Sequence, residues 1–401
     1  MKKTKIYAVC ALILMILGSN PVNAQCFENP PGSGNYTDPS GRPCINTILT
    51  AVPFLRITPD ARSGAMGDVG LAISPDANAM HYNASKLVFA ENKVGISATY
   101  TPWLRALGLQ DVYLAYLGGY TQLNDRQALG VGLRFFSLGD IAFTDDQGQP
   151  IGSGKPRELE VSMAYARKLS DKLSASITGK FIYSNLAAGQ NVGGVEITPG
   201  YAGAADLALT YTTPVKMNNG KKSNLTIALA ATNIGSKIIY ARQAEFIPSN
   251  LGIGAAWDMQ LDDHNSITFA ADINKLLVPT PPLDTTDAAI LEWRSQSPIA
   301  GIFKSFGDAP DGFKEELREL MYSFGLEYWY DKQFAVRLGY FTESQYKGNR
   351  RYLTAGLGLK YNVFGINLSY LVPTTNQRNP LDNTLRFSLL FDFAALGAVE
   401  E

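Results

Sequence analysis

The sequence predicts an all-β membrane protein, a 14-stranded antiparallel transmembrane β-barrel. Three observations predict it: an export segment at the start, about fourteen stretches with apolar residues on one parity, and connections that alternate short with long. After the export segment no apolar run approaches the ~18 residues of a membrane helix. Abundant Tyr, Phe and Gly leave two classes for such a chain, a soluble β-protein or an outer-membrane barrel.

The export segment comes first. Lys2, Lys3 and Lys5 make a positive start, Ile6–Leu17 an apolar core, and Val22–Ala24 a small-residue cleavage site before Gln25. A lipoprotein signal would need Cys directly after the cut, and here Gln25 precedes Cys26. Removing residues 1–24 takes three Lys and no acid, leaving 32 basic against 36 acidic residues. That balance argues against nucleic acid as a partner. Cys10 leaves with the signal, so Cys26 and Cys44 remain as a candidate disulfide across a Gly/Pro-rich loop; two free thiols are the alternative.

The parity follows from strand geometry, in which successive side chains point to opposite faces. The first strand reads Val94, Ile96, Ala98, Tyr100, the second Val112, Leu114, Tyr116, and the third Leu129, Val131, Leu133, Phe135. The series runs on to Leu385, Phe387, Leu389, Phe391, Phe393. Arg134, Glu158, Glu160, Lys180, Asp206, Asp258, Asp272, Glu327, Arg337, Lys360 and Arg386 all fall on the opposite parity. A cation facing lipid at mid-membrane costs roughly 2–4 kcal/mol, so this one-sidedness is what a lipid-facing wall requires.

The connections separate a barrel from a soluble sandwich. Those after even-numbered strands are mostly brief ("LNDRQ", "LSDK", "YDKQ"), whereas those after odd-numbered strands are mostly long, such as 137–157 and 275–321. Short turns on one side and long loops on the other match outer-membrane barrels, which puts the long loops outside the cell and both termini in the periplasm. The boundaries expected are a signal peptide at 1–24, a periplasmic or plug extension at 25–59, a plug at 60–91, the barrel at 92–393 and a tail at 394–401.

The long loop at 275–321 is expected to be helical. "PTPPL" stiffens its start, Ile299, Ile302, Phe303 and Phe306 share one helical face, and Phe313, Leu317, Leu320 and Met321 form another. Asp308 or Asp311 could cap the second helix. These apolar faces either pack on each other and the barrel rim or dock a protein or apolar ligand. Exposed aromatics are common binding anchors, so Trp103, Phe143, Tyr240, Phe246, Trp293, Phe303 and Phe306 are the candidate partner-binding residues. Each could equally belong to a membrane-interface belt, Trp103 above all.

Catalytic motifs are absent from the sequence. It contains no G-x-S-x-G, no H-E-x-x-H and no Cys/His metal spacing. His264 lies in a short turn and reads as solvated, and His81 as a packing or hydrogen-bonding residue. The chain is therefore expected not to be an enzyme and to carry no metal or cofactor.

The stretch 60–87, "DARSGAMGDVGLAISPDANAMHYNASKL", is rich in small residues yet regularly spaced. Gly64, Gly67 and Gly70 permit tight turns and close backbone approach, and Asp76 and Asn83 suit caps and turns. It resembles the N-terminal hatch of the FadL-type long-chain fatty-acid transporter superfamily, an A-x-x-x-G-x-G/A pattern followed by D-A-x-A-x-x-x-N-P-A. Asp76, Ala77, Ala79 and Asn83 match the second part, while Ala84 stands where the family has Pro. The resemblance implies a plug inside the barrel, with Asp60, Arg62, Gly64, Gly67, Asp68, Gly70, Asp76 and Asn83 as its characteristic residues.

Over nearly all of the chain after the signal, "AVPFLRITPDARSGAMGDVG", "SKLVF", "YTPWLRALGLQDVYLAYLGGY" and "GLRFFSLGDI" resemble the PorV family, FadL-like outer-membrane proteins of the type IX secretion system. That resemblance implies 14 strands, set in outer-membrane lipid. It also implies a cargo shuttle that takes secreted proteins by their C-terminal signal domains from a large translocon barrel to a sortase-containing surface attachment complex. The alternative is a FadL-like transporter of long-chain fatty acids or other hydrophobic molecules. A lipopolysaccharide deacylase, sometimes attached to this family, ranks last, because neither His can be set beside a Ser facing surface lipid.

Overall fold

The computed structural model describes residues 27–28, 36–37 and 46–393, apart from 106–107, 145–146, 188, 193–194, 218–219, 242, 285 and 376–382. The export segment, Cys26, Cys44 and the tail 394–401 lie outside the described residues.

Fourteen antiparallel strands close on themselves. They are β1 Val94–Pro102, β2 Val112–Asn124, β3 Gln127–Leu138, β4 Arg157–Lys168, β5 Leu173–Asn185, β6 Gly200–Pro214 and β7 Ser223–Gly235. The second half is β8 Asn250–Gln260, β9 Asn265–Leu276, β10 Met321–Tyr330, β11 Phe334–Thr342, β12 Arg351–Tyr361, β13 Phe364–Pro373 and β14 Leu385–Phe393. The seam pairs β14 with β1, from Phe387 opposite Tyr100 to Phe393 opposite Val94. Every strand thus finds a neighbour on both sides, and no edge is left to be satisfied in lipid. Even-numbered strands end in turns as short as 125–126 and 362–363, and odd-numbered strands in loops up to 277–320. The barrel therefore has a short-turn mouth and a long-loop mouth.

The apolar parity faces outward, with Leu117, Val131, Met163, Ile177, Phe269 and Leu357 all exposed. The charged parity faces inward: Arg134, Glu158, Glu160, Lys180, Asp206, Asp272, Glu327, Arg337 and Arg386 are buried, and Asp258 and Lys360 half-buried. β2 is the exception to the expected parity. Val112, Leu114 and Tyr116 were assigned to the lipid face, and they are buried at 3 %, 1 % and 5 % exposure while Leu117 faces out. Both parities of β2 are apolar and no charge marks the inner one. The inner set is covered by Phe54 and Leu55, which share a core with Val112, Leu114, Phe136 and Ile182.

The chain before β1 threads the lumen from mouth to mouth. Residues 46–57, with a 3-10 turn at Pro53–Arg56, sit among the long loops. There the Ala51 amide donates to the Phe246 carbonyl at 2.9 Å and Phe54 stacks parallel to Phe136, 6.4 Å between centroids. Helix α1 (Ala61–Ala65) then crosses the middle, the Ala61 amide donating to Ser388 at 2.8 Å. Helix α2 (Ala79–Tyr82) and a 3-10 helix at Ala84–Phe89 reach the short-turn mouth. Ser174, the second residue of β5, donates there to the Ser85 carbonyl at 2.7 Å, and Gln122 to the Ala90 carbonyl at 3.0 Å. β1 begins at that mouth, and β14 ends there, with the Asp392 amide bonded to Val363 in the 362–363 turn.

The first described residues of this thread and the last residue of β14 therefore lie at opposite mouths. The expectation that both termini share one side falls on the ends of the chain, 1–26 and 394–401, which lie outside the described residues. Of the expected periplasmic or plug extension at 25–59, the described part, 46–59, is the upper stretch of the plug.

Candidate functional site: a sealed lumen under an apolar loop face

The plug is fixed by charge as well as by shape. Asp60 caps α1 by accepting from the Ser63 amide at 2.8 Å and takes a second bond from the Tyr82 hydroxyl at 2.7 Å. Arg62 forks onto Glu327, Nε to Oε2 at 2.9 Å and Nη2 to Oε1 at 2.7 Å. Arg337 approaches the same carboxylate from the wall at 2.6 Å. Arg62 also reaches Asp76 at 3.3 Å and the Ser74 carbonyl at 2.9 Å, so one guanidinium ties three parts of the barrel and plug together. Asp272 of β9 accepts from the Gly70 and Leu71 amides at 2.8 and 3.0 Å. Asn83 caps the 3-10 helix through the Ser85 amide and donates to Thr210 of β6 at 2.8 Å.

Glycine matters most at one contact. Gly67 has φ +68°, and a side chain there would lie 2.6 Å from the Tyr340 amide nitrogen. On the facing wall a Cβ at Gly339 would fall 1.9 Å from the Gly67 nitrogen. Plug and wall backbones touch because neither carries a side chain there. Gly64 is packed against Arg386 and Ser369, and Asp68 accepts from Tyr352.

His81 holds the plug, as its reading as a hydrogen-bonding residue requires. Its Nδ1 pairs with an Arg134 nitrogen, and burial, then Arg134 and Lys180, keep its pKa well below the usual histidine value. It is thus neutral and accepts. Lys86 is pushed down to about 8 by burial and donates to the Gly70 and Ile73 carbonyls at 2.6 and 3.1 Å. His264 is in the 261–264 turn, exposed, 2.9 Å from Asp331. Among the described residues one lumen cavity of about 120 Å³ is lined by charged and apolar side chains alike, among them Asp68, His81, Lys180, Leu71, Met321 and Phe341.

The long-loop mouth presents a different chemistry. Loop 277–320 carries α3 (Asp287–Ser295), α4 (Pro298–Lys304) and α5 (Phe313–Arg318). Thr286 and Ser297 cap α3 and α4; α3 was not among the expected helices. Neither Asp308 nor Asp311 caps α5, whose N-cap is Gly312. Asp308 instead accepts from the Thr280 amide at 3.1 Å.

The burial of α5 decides against inward packing of its apolar face, one of the two alternatives the sequence left open. Glu315 and Glu316 are 5 % and 6 % exposed, Phe313 and Leu317 76 % and 49 %. The cause is a buried ionic base. Lys275 of β9 binds Glu316 at 2.9 Å and Glu319 at 2.6 Å. Lys347 binds Glu315 and Glu319, Thr280 donates to Glu319 at 2.7 Å and the Ala309 amide to Glu316 at 2.9 Å. With the carboxylates held down, the apolar side of the helix must face out. Ile299, Phe303 and Phe306 are likewise exposed, as is Leu291 on α3.

The seven candidate aromatics divide on this surface. Phe303 and Phe306 are exposed. Phe246 is buried, its ring tilted against Trp293 with centroids 5.9 Å apart, and the Trp293 indole donates to the Pro279 carbonyl. Trp103 packs on Phe136 at 4.9 Å, Tyr240 donates to Ser184 at 2.9 Å, and Phe143 lies over Gly154. These five support the loops from within. Phe313, Leu317 and Leu291 are exposed as well, and the charge pairing beneath α5, invisible in its helical spacing, turns Phe313 and Leu317 outward.

Burial pushes the Asp308 carboxyl up to about 6. Its folded value lies above the unfolded one, so its contribution is full at pH below about 4 and is lost as pH rises through about 6. Amides of 306–312 should lose exchange protection, after correction for intrinsic rates, between pH 4 and 6, and Asp308→Asn should flatten that profile. A wild-type profile already flat over this range would refute the assignment.

The family described as "Type IX secretion system protein PorV" matches residues 42–283. The chain belongs to the PorV family. It is an outer-membrane β-barrel of a type IX secretion family. No curated protein matches it. Among solved structures it is similar to the Pseudomonas putida toluene transporter TodX, at 12 % identity and TM-score 0.48 over 84 % of this chain and 99 % of that one. The Ralstonia pickettii toluene transporter TbuX matches at 14 % and 0.45 over 83 % and 98 %. A Pseudomonas aeruginosa FadL homologue matches at 10 % and 0.43 over 87 % and 100 %.

Proposed function

We propose that this PorV-family barrel is a docking shuttle. On this reading it takes secreted proteins by their C-terminal signal domains at a large translocon barrel and hands them to a sortase-containing attachment complex. The long loops face outside the cell, in keeping with barrels of this build, and the traffic runs over the loop face, not through the lumen. The observation that carries the reading is the exposure of five apolar side chains of the helical loop, Ile299, Phe303, Phe306, Phe313 and Leu317, the last two turned outward by the buried carboxylates of α5. An exposed apolar patch set in a polar rim is characteristic of a protein-docking surface.

The test is purification of the tagged protein from its native outer membrane in mild detergent. Secreted proteins sharing a C-terminal domain should co-purify, with a very large barrel or a sortase. A barrel that carries only fatty acid or other lipid would overturn the shuttle in favour of a hydrophobic-molecule transporter.

A further inference from the structure

We infer that the lumen cavity binds a small oxyanion, a carboxylate or a phosphate, between Arg56 of the plug and Arg350 of the 343–350 loop. The inference goes beyond the docking reading and does not depend on it.

Both guanidiniums line the cavity. Both also reach the Met321 sulfur, Arg56 Nη2 at 3.1 Å and Arg350 Nη2 at 3.7 Å, so the two cations stand side by side on its wall. One carboxylate is given to the pair, and Arg350 takes it. Buried Glu343 accepts from Arg350 Nε and Nη2, both at 2.8 Å, and from the Arg350 amide at 2.9 Å. Arg56 keeps the Met321 sulfur as its one hydrogen-bond acceptor among the described residues, and a thioether is a weak acceptor. Desolvation and the Arg350 charge push the Arg56 pKa down to about 10, which leaves it charged at neutral pH.

The other charges on this wall are engaged. Lys180 binds Asp206 at 2.8 Å. Asp272 takes the Gly70 and Leu71 amides, and Asp68 the Tyr352 hydroxyl. The unanswered charge is therefore positive and lies at Arg56. Paired guanidiniums offer parallel N–H groups that fit the oxygens of a carboxylate or phosphate. Leu71 and Phe341 add apolar surface for whatever carries that group. The volume, about 120 Å³, is several times the roughly 10–15 Å³ that one water needs. An oxyanion bound here ties the plug to the loop whose Lys347 helps to hold α5.

The test uses the full chain purified in detergent, in a buffer free of carboxylate and phosphate. It is titrated with inorganic phosphate and, separately, with acetate at constant ionic strength. Calorimetry should show saturable binding of at least one, weakened about tenfold or more in Arg56→Met. At saturation, hydrogen exchange should slow at 54–58 and 343–350 in the wild type and not in the variant. Should Arg56→Met fail to assemble, wild-type crystals grown with selenate decide the matter: anomalous scattering from selenium should peak within hydrogen-bond reach of both guanidiniums. Phosphate bound without acetate assigns a phosphorylated ligand, and the reverse a carboxylate. Binding of neither anion overturns the inference. So do an affinity unchanged in Arg56→Met, protection confined to other segments, and selenium found only elsewhere.

Discussion

Replacing Glu327 by Ala should loosen the plug more than any other single substitution. The carboxylate is 1 % exposed and lies between two guanidiniums, Arg62 on the plug and Arg337 on the wall. Without it two buried cations face each other with no anion between them. Removing one partner of a buried ion pair costs about 3–5 kcal/mol, equivalent to about a 10²- to 10³-fold rise in the detached population. Residues 60–91 should become sensitive to protease, and the purified protein should show long-lived conducting openings in planar bilayers. The heat-resistant barrel should persist, because the strand ladder does not pass through this side chain. Arg62→Ala should do less, since Glu327 keeps Arg337. A plug equally protected in Glu327→Ala and wild type would mean that the backbone contact at Gly67 and Gly339 holds it unaided.

The second large effect is expected at the loop face. The triple variant Phe303→Ser, Phe306→Ser, Phe313→Ser removes three rings that are 75 %, 53 % and 76 % exposed. Exposed substitutions cost the fold about 0.5 kcal/mol or less each, so heat modifiability should be unchanged. Binding is another matter. A buried aromatic anchor at a protein interface contributes about 2 kcal/mol or more, and the three together should weaken capture of a purified C-terminal signal domain at least about 100-fold. The corresponding Leu triple should retain part of the affinity, because an apolar side chain remains to be buried. Unaltered capture by the Ser triple would remove this face from the docking reading and assign it to the outer leaflet.

One sequence expectation failed, and one left open was decided, for the same physical reason. For β2 the alternation Val112, Leu114, Tyr116 marked an apolar face without saying what would cover it. Lipid covers the outer parity of every other strand; on β2 the strap residues Phe54 and Leu55 cover the inner one as well. For α5 the spacing Phe313, Leu317 marked an apolar face that ordinarily turns inward. Lys275 and Lys347, one on β9 and the other in the 343–350 loop, pull the opposite face down. In both, a contact distant in sequence chose between two faces that local periodicity left equivalent.

The plug shows the division from the other side. Asp76 and Asn83 could be recognised as cap or turn residues because such bonds are local, settled within two residues. The partners of Arg62 could not: Glu327 lies 265 positions away, and nothing near Arg62 selects it over other carboxylates of the same parity.

That the small-residue segment fills the lumen was implied by its family resemblance; the sequence by itself determined the barrel, its strand number and the alternation of short turns and long loops. Those follow from the period-2 pattern and from the cost of placing charge in lipid, which act on each strand separately. Only the tertiary structure decided that the plug runs from the long-loop mouth to the short-turn mouth, that α5 hides its carboxylates and displays its phenylalanines, and that five of seven candidate aromatics are supports. The physical reason is that burial of a side chain depends on what lies opposite it, and a closed barrel sets opposite one another residues that the chain keeps hundreds of positions apart.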